Sequence, residues 1–226
     1  MMMGVVMFYG FNTFGKCMLG CGLAMATFAQ FDVADASTFS VVYAFNGYFD
    51  GSLPIAGLIE DNAGNLYGTT LYGGNRSKLC NSGSCGVVFK VAPNGTDMTL
   101  HAFKGGSDGA NPATSLMMDQ SGNLYGTTEY GGSRQACDGG CGTVFKVTPG
   151  GKETVLYSFQ GGSDGQNPDS RLVVDAAGNL YGTTAEGGDT GCFEGCGTVY
   201  KLAGDGTKTC FMPFRDHRMA KAPVEA

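Results

Sequence analysis

At 226 residues the chain has room for one large domain or two small ones, and its 39 glycines far exceed the usual share of roughly 7%. Glycine without a three-residue period, interleaved with Val, Phe, Tyr and Thr, excludes a collagen-like chain and predicts short strands joined by tight turns. A formal net charge of −6, with no run of Lys and Arg, argues against a nucleic-acid partner, which needs a basic patch to displace counterions.

The first segment differs from the rest. Lys16 is followed by an apolar run from Cys17 to Ala29 that ends in small residues. That run is shorter than the roughly 20 residues needed to span a bilayer, and its order is that of a secretory signal. Residues 1–29 are therefore expected to be a signal peptide cut after Ala26 or Ala29, with export to the medium or the cell surface. No second hydrophobic segment follows, so no membrane span is expected in the mature chain. Next, "TFSVVYAF" at 38–45 predicts the outermost strand of a blade whose other strands are missing.

From there the sequence repeats. "GNLYGTT" opens at Gly64, Gly122 and Gly178, with Asn65 and Asn123 58 residues apart and Asn123 and Asn179 56 apart. Such a period marks a repeat architecture. The repeat domain covers 38–214, in units of about 46–103, 104–159 and 160–214, jointed at Phe45, Phe103, Phe159 and Phe214. A polar tail, 215–226, follows.

Each unit predicts four strands. "GLIED", "SLMMD" and "RLVVD" are the first, and "NLYGTT" is the second. "GVVFKV", "GTVFKV" and "GTVYKL" are the third, and "MTLHAF", "TVLYSF" and "TCFMPF" the fourth. Between first and second strands, Gly64, Gly122 and Gly178 can take the positive φ of a tight hairpin, while Asp61, Asp119 and Asp175 bond their own backbone. Gly68, Gly126 and Gly182 are expected where blades crowd together, with Tyr67, Tyr125 and Tyr181 filling the interblade core. The fold expected is all-β: three four-stranded antiparallel repeats of about 56 residues in a partial β-propeller, with a β-trefoil as the alternative. Propellers close with about four to eight blades, so three leave two open end faces, through which the chain is expected to self-associate unless it is a piece of a longer parent.

With "LYGTT", the "GG" pairs at 73–74, 131–132 and 187–188, "GTVFK" at 142–146, and "SDGxNP" at 107–112 and 163–168 in view, the chain resembles the GloVer-type extracellular tandem repeat family over roughly residues 40 to 214. The resemblance implies an exported bacterial repeat protein whose molecular function is unassigned. Members carry many copies and sometimes C-terminal anchors; this chain has few copies and ends on a polar stretch. "D-x-x-G-N-L-Y" is also similar to the hairpin of NHL-type propeller repeats.

Six of the nine cysteines form one close pair per unit: Cys80 and Cys85, Cys137 and Cys141, Cys192 and Cys196. In an exported protein these predict disulfides that order glycine-rich loops. Free thiols, or zinc shared between neighbouring blades, are the alternatives. Cys210 is expected to be a small buried residue of the outer strand.

Asp50, Asp108 and Asp164 recur in "DGSLP", "DGANP" and "DGQNP", and with Asn111 and Asn167 they offer oxygen ligands for calcium. The plainer reading is an Asp-Gly turn stiffened by proline, since Leu53 replaces the Asn in the first unit. No catalytic residue and no other cofactor is indicated. His101 and His217 are isolated, Glu60, Glu129 and Glu186 sit at non-equivalent positions, and no phosphate-binding glycine fingerprint is present. Lys90, Lys146 and Lys201 fit a solvated strand face. Tyr72 and Tyr130 could stack a glycan or peptide, although Glu186 takes their place in the third unit. The functional expectation is an exported, non-catalytic binding or surface-interaction module for a glycan or protein. A propeller-type hydrolase or lyase, or a fragment of a longer repeat protein, is the alternative.

Overall fold

In a computed structural model of the chain, residues 39–80, 83–188, 192 and 195–213 are described. The expected signal peptide, Cys17, Cys21, Phe214, His217 and the tail lie outside them. The first sheet is built from β1 (Ile59–Glu60), β2 (Leu66–Thr70), β3 (Val87–Val91) and β4 (Asp97–Ala102), in that order. The second repeats it with β5 (Met117–Met118), β6 (Leu124–Thr128), β7 (Thr143–Val147) and β8 (Glu153–Ser158). In the third, β10 (Val173–Val174), β11 (Leu180–Glu186), β12 (Thr198–Leu202) and β13 (Lys208–Pro213) follow the same order, and β9 (Gln166–Pro168) adds to β11. All strand-to-strand pairings are antiparallel, with one isolated parallel bridge at Gly187–Gly195, and none joins two repeats among the described residues. Among the described residues these are three propeller-type blades that do not close into a ring. The trefoil alternative falls, because every sheet is complete within one repeat.

Residues 39–45 form no strand, contrary to expectation. An outer strand needs a third strand to pair with, and none precedes it among the described residues. Two single 3-10 turns, Gly106–Asp108 and Gly162–Asp164, follow the joints.

The hairpin aspartates show why the heptad folds as it does. Asp61 Oδ1 accepts the backbone N–H of Ala63 and of Asn65, each at 2.9 Å. Its Oδ2 accepts the Asn65 side-chain amide at 2.8 Å and the Tyr67 hydroxyl at 3.0 Å. Asp119 and Asp175 repeat the pattern with Tyr125 and Tyr181. Tyr67 and Tyr125 pack, as expected, against the clusters that span neighbouring blades, but all three tyrosines are only half-buried, because each phenol O–H is drawn to a carboxylate at the surface.

The core is filled from the third strand. Gly68 pairs with Phe89, Gly126 with Phe145 and Gly182 with Tyr200. A Cβ on Gly126 would lie 2.6 Å from Phe145 Cζ and 3.0 Å from Leu116 Cδ2, so the crowding at this glycine comes from its own sheet. The rings in turn meet the joint phenylalanine of the preceding repeat edge to face: Phe45–Phe89 at 4.9 Å, Phe103–Phe145 at 5.1 Å and Phe159–Tyr200 at 5.1 Å. Phe103, Phe145, Phe159 and Tyr200 are fully buried. Each such pair adds about 0.5–1.5 kcal/mol beyond its buried area and locks one blade to the next. The first blade lacks this cover on one side: Leu58 is 54% exposed, whereas its counterparts Leu116 and Leu172 are 0% and 2% exposed.

Candidate functional site

The disulfides Cys80–Cys85, Cys137–Cys141 and Cys192–Cys196 form as expected, with Cα–Cα separations of 5.2, 5.1 and 5.2 Å. Zinc-sharing and free-thiol alternatives fall for these six sulfurs. Each closes a short ring, so the stabilisation from loop closure is modest and the main effect is to order the loop between second and third strands. Cys210 is exposed, not buried as expected. Its position on the outer strand faces the joint turn, with Sγ 3.9 Å from the Ser163 carbonyl.

Strand ends are held by buried threonines. Thr128 Oγ1 donates to the Tyr130 carbonyl at 2.8 Å. A hydroxyl has one proton, so in the 2.8 Å contact between Thr128 and Thr143 the donor is Thr143. Thr70 and Thr184 hold the carbonyls of Tyr72 and Glu186 in the same way, at 2.8 and 2.9 Å. Just beyond, Gly131, at φ 84°, stacks backbone to backbone on Gly109; a Cβ there would lie 2.5 Å from Gly109 Cα. The "GG" and "DG" motifs thus meet, and their glycines let the end of the second strand lie against the joint loop.

Between the stapled loop of the second repeat and the third repeat lies a cleft of about 660 Å³, lined by Tyr130, Cys137, Asp138, Gln166, Asn167 and Glu186 together with glycine backbone. Gln166 Nε2 donates to Glu186 Oε2 at 2.6 Å. Cys137 Sγ lies 3.0 Å from Gln166 Oε1, a contact and not a hydrogen bond, since a disulfide sulfur has no proton. Desolvation first, then the carboxylates of Glu129 and Glu186, push the Tyr130 phenol up to about 12. It remains a neutral donor at physiological pH. Tyr72, Tyr130 and Glu186 occupy the same place in successive repeats and form a row. Tyr130 and Glu186 meet in the cleft, while Glu60 and Lys90 lie elsewhere on their strands. The Lys90 and Lys146 ammoniums each lie 5.6 Å over the Tyr67 and Tyr125 rings. Sequence reasoning missed Gln166, whose signal was the variable residue of "DGxNP". The first repeat has a smaller cleft of about 500 Å³ beside Tyr48, Phe49 and Arg76.

The three loop aspartates share one structural task. Each Oδ2 accepts the backbone N–H four residues back: Asn46 at 2.8 Å, Lys104 at 2.7 Å and Gln160 at 2.8 Å. Each also meets the side chain two residues before the joint phenylalanine. Tyr43 and Tyr157 donate their hydroxyls at 2.8 Å, and His101 Nε2 lies 3.3 Å away. A third position, the first residue of the next outer strand, completes the joint: Asp97, Glu153 or Lys208. The Lys208 ammonium bonds Asp164 Oδ1 at 2.7 Å and the Asp164 carbonyl, and its side chain is 3% exposed. His101, Asp108 and Glu153 bring their donor atoms within 4.8 Å of one another; no other such trio occurs among the described residues. The asparagines of "SDGxNP" have another role. Asn111 (φ 57°) donates its amide to the Leu71 carbonyl at 2.9 Å, and Asn167 (φ 53°) reaches the Glu129 carbonyl at 3.4 Å. Both struts tie a repeat to its predecessor.

No curated protein matches the chain. Among solved structures, it is similar to a protein assigned as a gluconolactonase, with a TM-score of 0.40 and 16% identity over 72% of this chain and 50% of that one. It is also similar to Porphyromonas gingivalis dipeptidyl peptidase 4 (0.39, 20% identity, 67% and 18% covered). A luciferin-regenerating enzyme gives 0.39 and 15% identity, with 70% and 45% covered. The chain spans half or less of each of these proteins. Among the described residues, no helix is long and apolar enough to cross a membrane. The family model described as the Gloeobacter/Verrucomicrobia repeat matches residues 7–137 and again 82–224, two overlapping stretches that take in all three blades. The chain belongs to the Gloeobacter/Verrucomicrobia repeat family.

Proposed function

We propose that the protein is an exported, non-catalytic binding module that holds an extended oligosaccharide in the cleft between its second and third blades. One observation carries this reading: the Tyr130 ring, the Gln166 amide and the Glu186 carboxylate converge on one cleft of about 660 Å³. An aromatic face with a few convergent hydrogen-bonding groups is what a polar ring with apolar C–H faces requires. Tyr72, in the preceding place of the same row, extends the surface for a longer chain. Three short-range disulfides support export to an oxidising compartment.

A panel of soluble bacterial and plant polysaccharides, titrated by calorimetry, tests the proposal. Binding to at least one is expected, weakened about tenfold or more by Tyr130→Ala, or about 1.4 kcal/mol, and by Glu186→Gln. Glu186→Gln should keep the wild-type melting temperature, because that side chain is outside the buried core, whereas Tyr130→Ala, which removes a half-buried ring packed on the core cluster, should melt somewhat lower but as cooperatively. Absence of binding across the panel, or binding indifferent to both changes, would sink the proposal.

A further inference from the structure

We propose that His101, Asp108 and Glu153 form a site for one divalent transition-metal ion of the zinc class, tying the first blade to the second as the Lys208 ammonium ties the second to the third.

The argument begins with register. Glu153 opens β8 opposite Val147, and Lys208 opens β13 opposite Leu202, so the two side chains stand at equivalent places in successive joints. At the later joint the chain supplies its own cation. Lys208 Nζ sits on Asp164 and lies over the rings of Tyr157, Phe159 and Tyr200 at 5.3, 4.8 and 5.7 Å. At the earlier joint a carboxylate takes the place of that ammonium, facing Asp108. Two carboxylates then share a joint whose counterpart is built around a positive charge.

The donors suit a borderline metal. One imidazole and two carboxylates are a zinc-type set with a fourth position left for water, whereas an imidazole nitrogen is foreign to calcium. His101 Nε2 lies 3.3 Å from both oxygens of Asp108. Bonds of 2.0–2.1 Å at tetrahedral angles place ligand atoms roughly 3.3–3.4 Å apart. All three donor atoms already lie within 4.8 Å, so a small rotation of Glu153 closes the set. Glu153 Oε1 is buried and has no hydrogen-bond partner, the condition of a ligand atom awaiting its ion. Burial, and next the charge of Asp108, push the Glu153 carboxyl up to about 7; His101 and Lys104 offset only part of this. The first joint, with Tyr43, Asp50 and Asp97, has no imidazole and hence no such donor set. The loop aspartate named from sequence as a calcium ligand thus serves a different metal, at one joint of the three.

The test uses the mature chain stripped of metal, in a Cys210→Ser background because the exposed thiol would bind zinc itself. Titration with zinc chloride should show one ion per chain and raise the melting temperature by about 5 °C at saturating metal. Calcium chloride at the same concentration should raise it by far less. His101→Phe keeps a ring against Phe103 and Glu153→Gln keeps the shape; each should weaken zinc binding at least tenfold. Glu153→Lys should abolish the zinc response and raise the metal-free melting temperature, copying the third joint. No zinc response in the parent, a response surviving both His101→Phe and Glu153→Gln, or a calcium response without a zinc one would overturn the assignment.

Discussion

Asp61 accepts four hydrogen bonds at the surface, while Glu153 Oε1 accepts none in a buried place, and the two carboxyl groups shift in opposite directions. The Asn65 side-chain and backbone donors hold Asp61 down to about 2, and Asn179 does the same for Asp175. A depressed carboxyl contributes stability above its ordinary value near 4, and that stability is lost as pH falls toward 2. Glu153, pushed up to about 7 by burial and Asp108, has the opposite sign. Between about 4.5 and 7 the folded chain binds more protons at this group than the unfolded chain does, so stability declines as pH rises. Solvent screening at this partly exposed side chain limits the decline to about 1–2 kcal/mol. Metal-free protein is therefore expected to be most resistant to urea near pH 4–5 and to lose resistance by pH 8. Glu153→Gln should remove most of that loss, and urea midpoints measured across this range decide it: an unchanged decline in the variant would place the titrating group elsewhere.

At the scale of the strand, the heptad owes its form to a pairing that crosses the sheet. Gly126 accommodates the Phe145 ring, which in turn meets Phe103 of the preceding repeat. Gly126→Ala forces a methyl group into that ring and the Leu116 side chain, and should cost about 2–3 kcal/mol. Gly122→Ala, in the exposed hairpin, meets strain from its φ of 77° and a milder contact with Pro149. Thermal unfolding of the two variants should therefore rank Gly126→Ala as the more damaging, and the reverse order would mean that the hairpin and not the ring governs the position. The existence of these strands, their hairpins and their disulfides was legible from the repeat alone. What packs on Gly126 was not, because a sequence shows the period of a strand but not which residue of its neighbour lies opposite. Tyr125 was legible only in part: its ring does pack, half-buried, against the cluster spanning the second and third blades, while the hydroxyl's claim on Asp119, which holds it at the rim, depends on hairpin geometry. Asn167 looked like half of a calcium loop, and its strut to Glu129 comes from a repeat that is distant in sequence.

The whole repeat array is a chain of similar joints, each stitching one sheet to the next, and this one-dimensional logic fixes where it is vulnerable. Its blades could be counted from the sequence. The varied third member of each joint could not, because Asp97, Glu153 and Lys208 come into place only when one repeat's outer strand reaches the previous repeat's turn. The first sheet keeps its ring pair and joint aspartate, yet part of its face lies uncovered. Leu53 holds a left-handed φ of 56° where the later repeats have asparagine struts, and Ile55 and Leu58 are 63% and 54% exposed. Leu58 sits where Leu116 and Leu172 are buried, so it lacks the apolar cover that they have. We expect a second copy of the chain to provide that cover. Light scattering across a range of protein concentrations should show the mass rising above that of a monomer, and Leu58→Lys should return it to the monomer without lowering the melting temperature. Leu116→Lys, the same change under a covered face, should unfold the chain, since it buries an unpaired charge. A wild-type chain that stays monomeric at about 100 μM, well above the micromolar range of weak specific association, would mean that this face is not a docking surface for its own kind.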